Sequence, residues 1–124
     1  MRKWLSLCCL AIVIIWAAPA AAQSANIEGT YGVLGTNPKN AGSYRGTATI
    51  VKSGDVYRVH WQVGSVYDGV GKLNGNTFAV EWGNQSQNVG TVTYTVQPDG
   101  NMKGTWFVAK NPNDLGTETL TRLK

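Results

Sequence analysis

The sequence predicts an all-β protein, a single antiparallel up-and-down meander of about eight strands that closes into a small β-barrel. Three observations support this fold: no helical period is visible beyond residue 22, apolar and polar residues alternate in many short segments, and turn residues separate those segments. Each strand then has one apolar face to bury. A two-sheet sandwich is the alternative, but closure into a barrel also removes the exposed strand edges.

The alternation is clearest in "VYRVHWQV", where Tyr57, Val59 and Trp61 share one face and Arg58 and His60 share the other. Consecutive strands are close in sequence, which favours antiparallel neighbours. The predicted strands are residues 27–34, 43–52, 55–63, 66–73, 76–82, 90–97, 101–108 and 116–123.

The first 22 residues have the three parts of a cleaved secretory signal peptide. Arg2 and Lys3 precede a short apolar run, and the small residues 20–22 offer a cleavage site. An uncleaved anchor is the alternative. Both cysteines, Cys8 and Cys9, lie inside this segment, so the predicted mature chain, a single domain of residues 23–124, has no thiol. We expect an exported protein, either periplasmic or secreted, with no stable membrane span after the signal is removed.

The mature chain is only weakly basic. The formal charge of the whole sequence is +4, and removal of Arg2 and Lys3 leaves +2. The remaining basic residues are scattered, without a run that would follow a phosphate backbone. Nucleic acid is therefore not an expected partner.

The dipeptide Gly-Thr recurs six times, beginning at residues 29, 35, 46, 90, 104 and 116. In several strands the glycine lies two residues from an aromatic residue on the same apolar face, as Gly46 does from Tyr44 and Gly104 from Trp106. Gly29 and Tyr31 have the same spacing. Such alternation of missing and large side chains lets a small barrel curve, while the threonine faces solvent. We interpret the repeats as barrel-bending features.

The connections divide into two groups. The turns "KSGD", "NGN" and "PDGN" are tight, and an up-and-down topology puts them at one end of the barrel. The connections "GTNPKNAG", "GNQSQNVG" and "AKNPNDLG" are long and lie at the other, which we call the long-loop end. Their amides suit peptide or sugar recognition, although turn formation is the simpler role for each one. The candidate macromolecule-binding residues are Asn37, Lys39, Asn40, Asn84, Gln85, Gln87, Asn111 and Asn113.

The barrel interior is the alternative site, because aromatic walls suit small apolar or heterocyclic ligands. Core packing is the simpler account of these rings. If Leu120 points inward, so do Glu118 and Arg122, and each then needs a partner. Either Glu118 and Arg122 pair with each other diagonally at an end of the barrel, or Glu118 forms a hydrogen bond with a buried Trp or Tyr side chain. The candidate interior ligand-binding residues are Tyr31, Trp61, Trp82, Tyr94, Trp106 and Glu118.

Catalysis has little support in the sequence. The single histidine, His60, falls on the polar face of its strand and has no obvious carboxylate neighbour in sequence. No spacing of carboxylates singles out a pair, and with no cysteine and only one histidine the mature chain lacks a usual set of zinc ligands. We therefore predict no catalytic residue, no metal site, no cofactor and no enzymatic activity.

Five segments are spread over nearly all of the predicted mature chain: "GTYGVLGTNP", "YRGTATIVKSGDVYRVHWQVG", "GVGKLNGNTFAVEWG", "GTVTYTVQPDGNMKGTWF" and "GTETLTRL". Together they resemble a group of small secreted bacterial proteins often labelled fibronectin-binding protein. A looser resemblance, through the Gly-x-aromatic strands, is to avidin-like and lipocalin-like barrels. The first resemblance implies a barrel fold, export and a host matrix protein such as fibronectin as partner.

The predicted function is thus that of an exported, non-enzymatic binding protein that recognises fibronectin or a similar matrix protein through its long-loop end. The alternative is a small-molecule-binding barrel that uses its aromatic interior. A purely structural envelope protein is the third possibility.

Overall fold

A computed structural model describes residues 26–123 and confirms the predicted fold, a closed antiparallel barrel of eight strands in up-and-down order. Each strand pairs with the next, and β8 pairs with β1 to complete the closure. The observed bounds differ from the predicted ones by at most two residues. The strands are β1 Gly29–Thr36, β2 Ser43–Ser53, β3 Val56–Gln62, β4 Val66–Asn74, β5 Thr77–Gly83, β6 Val89–Val96, β7 Met102–Val108 and β8 Gly116–Arg122.

The predicted signal peptide, residues 1–22, lies outside the described residues. Within residues 26–123, no helix has the length and apolar character needed to cross a membrane. A single short 3-10 turn, Pro38–Asn40, interrupts the β structure of the described chain, in the connection between β1 and β2.

The three tight turns lie at one end of the barrel, as the topology requires. Gly54, Gly75 and Gly100, one in each turn, have φ values of 63°, 62° and 87°. These values lie in the left-handed region that glycine adopts at little cost. The predicted turn chemistry therefore closes this end with short connections.

The half of the barrel next to these turns is a filled core. Phe78 packs edge-on against Tyr57, with ring centroids 5.7 Å apart, and stacks on Tyr94 at 6.1 Å. Met102 and Leu120 are fully buried in the same core. Each such side chain contributes roughly 1.5–3 kcal/mol through removal of apolar surface from water. Because buried side chains pack against one another here, we call this half the filled half.

Arg122 fastens the described residues just before β1, and the start of β1, across this end of the barrel. Its guanidinium donates to the carbonyl oxygens of Asn26 and Glu28 at 2.8 and 2.7 Å, and to the Tyr31 hydroxyl at 3.3 Å. It also lies 5.7 Å from the centroid of the Tyr31 ring. Arg122 thus faces inward as the alternation predicts, but its partners are at the filled end and it forms no pair with Glu118.

The glycines of the Gly-Thr pairs leave space for aromatic rings on neighbouring strands. Four of them lie directly opposite a large ring: Gly35 opposite Tyr44, Gly90 opposite Trp82, Gly104 opposite Tyr94 and Gly116 opposite Trp106. A Cβ atom at any of these glycines would collide with the ring that it faces. The spacing in the sequence pairs a glycine with a ring in the same strand, whereas the contact that requires glycine is between neighbouring strands.

Candidate functional site

The half of the barrel next to the long connections is hollow. It contains a cavity of about 360 Å³, within the range of small-molecule sites. Its wall includes residues of the long connections and the inward side chains of seven strands, β2 to β8, so it opens at the long-loop end. The lining residues are Asn37, Tyr44, Trp61, Val63, Tyr67, Trp82, Asn88, Val92, Trp106, Val108 and Glu118.

Four rings form a continuous aromatic arc along the cavity wall, in the order Tyr44, Trp106, Trp82 and Tyr67. The successive ring centroids are 6.2, 6.1 and 5.5 Å apart, and the interplanar angles of 67°, 78° and 88° are edge-to-face. In this geometry the positive edge of one ring meets the negative face of the next. All four rings are only partly buried, so apolar surface is left facing the cavity.

Local sequence explains how the arc is held. Tyr44, Trp82 and Trp106 each lie opposite the glycine of a Gly-Thr pair, so the ring lies flat against the neighbouring strand. Tyr67 lies directly opposite Trp61 on β3, which contributes a fifth ring to the lining. The Trp106 indole is fixed further, because its N–H donates to the Thr117 carbonyl at 3.2 Å.

Glu118 lies at the base of the cavity, where the hollow half meets the filled half. Its side chain is buried, with only 6% of the residue exposed. Oε1 accepts a hydrogen bond from the Tyr44 hydroxyl at 2.8 Å, and Oε2 accepts one from the Trp61 indole N–H at 3.2 Å. The Tyr94 hydroxyl also donates to Oε2. The prediction that a buried Trp or Tyr would partner Glu118 is confirmed by Trp61 and Tyr94, and the partly buried Tyr44 is a third partner.

Burial controls the protonation of this cluster. Desolvation raises the pKa of Glu118 above 4.5, although the hydrogen bonds from Tyr94, Tyr44 and Trp61 oppose that rise. Burial and the nearby Glu118 carboxyl raise the pKa of Tyr44 and of Tyr94 above 10. Both phenols therefore keep their protons at ordinary pH and act as donors to Glu118.

The described lining of the cavity contains an acidic side chain and no basic side chain. Within the described residues, Glu118 is the one ionisable carboxyl that lines the cavity, and no Lys or Arg lines it. Arg122 lies four residues further along β8, roughly 13 Å away at the usual rise of a strand. Asn37 and Asn88 supply amide groups to the lining. The cavity is thus aromatic with a single acidic group at its base.

The eight predicted loop residues have different environments. Among the eight, Asn37 lines the cavity, and its side chain also donates to the Ala41 carbonyl at 3.2 Å. The Asn84 side chain accepts from the backbone N–H of Asn88 at 3.1 Å. These two amides therefore shape their own loops. The remaining six are exposed: Lys39, Asn40, Gln85, Gln87, Asn111 and Asn113.

Two features nevertheless order the long-loop end. Lys39 forms an ion pair with Asp114 at 3.4 Å, which joins the first and last long connections. Lys39, Asn40 and Gln87 have φ values of 61°, 55° and 62°, which non-glycine residues rarely adopt. Backbone strain of this kind, of order 1 kcal/mol per residue, is concentrated at functional sites in many proteins.

The predicted interior residues divide between the two halves. Trp61, Trp82, Trp106 and Glu118 line the cavity. Tyr31 and Tyr94 are fully buried instead and do not line it; Tyr94 acts by holding Glu118.

Sequence reasoning missed Tyr44 and Tyr67 as lining residues. Alternation placed Tyr44 on the inner face with Gly46, and the same rule applied to β4 would place Tyr67 there with Gly69 and Gly71. The lining residues that were not among the candidate site residues are Tyr44, Val63, Tyr67, Asn88, Val92 and Val108.

His60 does have a carboxylate neighbour, contrary to the expectation from sequence. Asp68 lies directly opposite on β4, and the two side chains are 2.7 Å apart. The pair is not apparent in the sequence, because the antiparallel pairing of β3 with β4 brings the two residues together. Both side chains lie on the outer surface of the barrel, 45% and 73% exposed, away from the cavity. In the described chain no group of three or more His, Cys, Asp or Glu side chains has the arrangement of a metal site.

Comparison with known proteins identifies a structural relative but no family. No protein-family model and no curated protein matches the chain. Among solved structures, the chain is similar to one described as "REP1-NXSQ fatty acid transporter", with a TM-score of 0.51 and 15% sequence identity. The match covers 81% of this chain and 98% of that one. At this identity the likeness shows the barrel fold alone, and the fibronectin partner implied by the sequence resemblance stays a prediction.

Proposed function

We propose that this protein is a non-enzymatic binding protein that takes a small organic molecule into the cavity at the long-loop end of its barrel. The observation that carries the proposal is the combination of a hollow half, an aromatic lining and one hydrogen-bonded carboxyl at its base. A few polar groups within an apolar cavity are the usual composition of a small-molecule site. This was the alternative interpretation of the sequence.

The arrangement of the Glu118 cluster also supports a ligand site. A barrel interior that served only stability would be filled by apolar side chains, as it is around Phe78 and Leu120. A buried carboxyl carries a desolvation cost that its hydrogen bonds must offset. The proposal gives this group a use, since it presents a directional polar contact to whatever enters the cavity.

The similar solved structure supports the proposal through its fold. It is described as a fatty acid transporter, so a barrel of similar fold is described as carrying a small molecule. Its cargo suits the present cavity poorly. A fatty acid carries a carboxylate, and in the described lining there is no Lys or Arg to pair with it, while Glu118 would repel it when ionised. We therefore propose small-molecule binding without fatty acid as the specific ligand.

The direct test is binding of a small neutral aromatic compound, 2-phenylethanol, to the purified protein by calorimetry and by the change in tryptophan fluorescence. Val108 lines the mouth of the cavity, so Val108→Trp should fill that space and abolish saturable binding. Val70→Trp is the matched control, because Val70 is 44% exposed on the outer face of β4. Binding unaffected by Val108→Trp, or no binding at millimolar concentration, would contradict the proposal.

Fibronectin binding is measured in parallel at physiological salt, where weak charge attraction is screened. Saturable fibronectin binding that survives Val108→Trp would assign a partner to the long loops rather than to the cavity. Exchange of Asn84, Gln85 and Gln87 for serine should then weaken it. Native mass spectrometry of the protein as isolated would identify any small molecule that it retains.

A further inference from the structure

The charge and ring composition of the cavity specify the class of ligand. From them we infer that the cavity selects an organic cation, an amine or ammonium group carried on an aromatic or aliphatic body, over neutral and anionic molecules of the same shape. This inference rests on the proposed function and adds the ligand class to it.

The first support is the acceptor capacity of Glu118. A carboxylate has about four acceptor positions, and Tyr44, Trp61 and Tyr94 occupy three of them. Glu118 also contributes to the cavity surface, so a further donor from a ligand has access to it. Each of its present partners is a neutral donor, which leaves the negative charge of the ionised carboxyl uncompensated by any cation.

The second support is the ring wall. The faces of tryptophan and tyrosine rings carry negative potential and attract a cation that lies within about 6 Å of the ring centre. The aromatic arc and Trp61 place five such rings around one cavity of about 360 Å³. An ammonium group next to Glu118 would therefore meet a carboxylate on one side and ring faces on others.

The third support is the absence of a competing cation in the lining. Across the described residues, the nearest basic side chain on the inward face of β8 is Arg122, and it is engaged at the filled end with Asn26, Glu28 and Tyr31. Lys39 lies on the long-loop end but pairs with Asp114 and does not line the cavity. The site thus attracts positive charge and offers an anion no counter-charge.

The test uses three probes with a common phenyl body: 2-phenylethylamine, 2-phenylethanol and 3-phenylpropionate, which are cationic, neutral and anionic at pH 7. Calorimetric titration of the purified protein should rank their affinities in that order. The amine should bind on the order of tenfold more tightly than the alcohol, as expected for a charge-assisted hydrogen bond. The propionate should bind more weakly than the alcohol.

Variants connect this ranking to the carboxyl group. Glu118→Gln should lower the affinity for the amine by about tenfold and that for the alcohol by a smaller factor, because the amide oxygen still accepts a hydrogen bond from a neutral hydroxyl. Glu81→Gln removes the same charge from an exposed position on the outer face of β5 and should leave both affinities unchanged. If Glu118→Gln fails to fold, the ranking of the three probes on the unaltered protein still decides the matter.

The outcomes separate the two proposals. Equal affinity for the amine and the alcohol, or tightest binding of the propionate, would overturn the cation inference while leaving small-molecule binding intact. An amine preference that Glu118→Gln leaves unchanged in a folded protein would overturn the role of Glu118. Failure of all three probes to bind at millimolar concentration would count against the proposed function and the inference together.

Discussion

Gly35 on β1 lies directly opposite Tyr44 on β2, and the Tyr44 ring occupies the space that a side chain at Gly35 would need. The Tyr44 hydroxyl in turn donates to Glu118. A glycine of the Gly-Thr series therefore controls the position of a ring that both lines the cavity and holds its one carboxyl.

This relationship predicts the effect of Gly35→Ala. The three atoms nearest to an added Cβ all belong to the Tyr44 side chain, so we expect the ring to swing away and its bond to Glu118 to break. Overpacking of this kind should lower the free energy of unfolding by about 1–3 kcal/mol and weaken binding of the amine probe. Chemical denaturation and calorimetric titration measure the two effects.

Gly32→Ala is the control for this change. Gly32 lies on the same strand, and the nearest atoms to an added Cβ are 3.8 and 3.9 Å away, which is ordinary van der Waals contact. It should bind the amine as the unaltered protein does. Equal loss of binding in both variants would show that a general weakening of β1, and not the position of Tyr44, is responsible.

The pH dependence of stability should report on Glu118. Because burial raises the pKa of this carboxyl, its contribution to stability is fully present below about pH 4.5 and is lost as the pH rises through the raised value. Tyr44 and Tyr94, the titratable groups that hydrogen-bond to Glu118, keep their protons throughout this range.

Glu118→Gln cannot ionise and so lacks this contribution. The free energy of unfolding of the unaltered protein minus that of Glu118→Gln should therefore be larger at pH 4 than at pH 8. Urea denaturation of both proteins at the two pH values measures this difference. A difference that grows with pH would mean that the three hydrogen bonds outweigh burial.

The aromatic arc predicts that one ring matters more to binding than several loop amides. Trp82 lies between Tyr67 and Trp106 in the arc, so Trp82→Ala removes two edge-to-face contacts and opens the wall. We expect the dissociation constant of the amine probe to rise on the order of tenfold, as for the central aromatic residue of a binding site. Titration at a temperature well below the melting point of the variant separates this loss from unfolding.

A triple exchange of Gln85, Gln87 and Asn113 to serine is the comparison for the Trp82 variant. These side chains are exposed and do not line the cavity, so binding of the amine should change by less than about twofold. A larger effect from the loop exchange than from Trp82→Ala would move the binding site to the outer surface of the loops.

Arg122 should matter for stability but not for ligand binding. Replacement by methionine keeps much of the aliphatic length and removes the hydrogen bonds to Asn26, Glu28 and Tyr31. We expect the free energy of unfolding to fall by about 1.5–3 kcal/mol, the usual range for a hydrogen bond that involves a charged group. The affinity for the amine should stay the same, and a marked change in it would mean that the two ends of the barrel are coupled.

Many features of the fold can be predicted from patterns within single strands and turns. Two-residue alternation predicted eight strands and the inward direction of Trp61, Glu118 and Arg122, because the side chains of an extended chain point to alternate faces whatever the neighbouring strand is. The short connections between strands predicted their order. Glycine in the tight turns followed from the need for positive φ at Gly54, Gly75 and Gly100. These features depend on interactions between residues close in the chain.

The cavity depends on tertiary structure. Tyr44 and Glu118 are 74 residues apart in sequence, Trp61 and Glu118 are 57 apart, and only the register of a closed barrel brings them together. The register also decides which glycine faces which ring, and hence that Phe78 and Tyr94 fill one half while Trp82 and Trp106 stand against the wall of the other. Alternation shows that a side chain points inward, but whether it fills the axis or borders a space depends on the volumes of partners from distant strands.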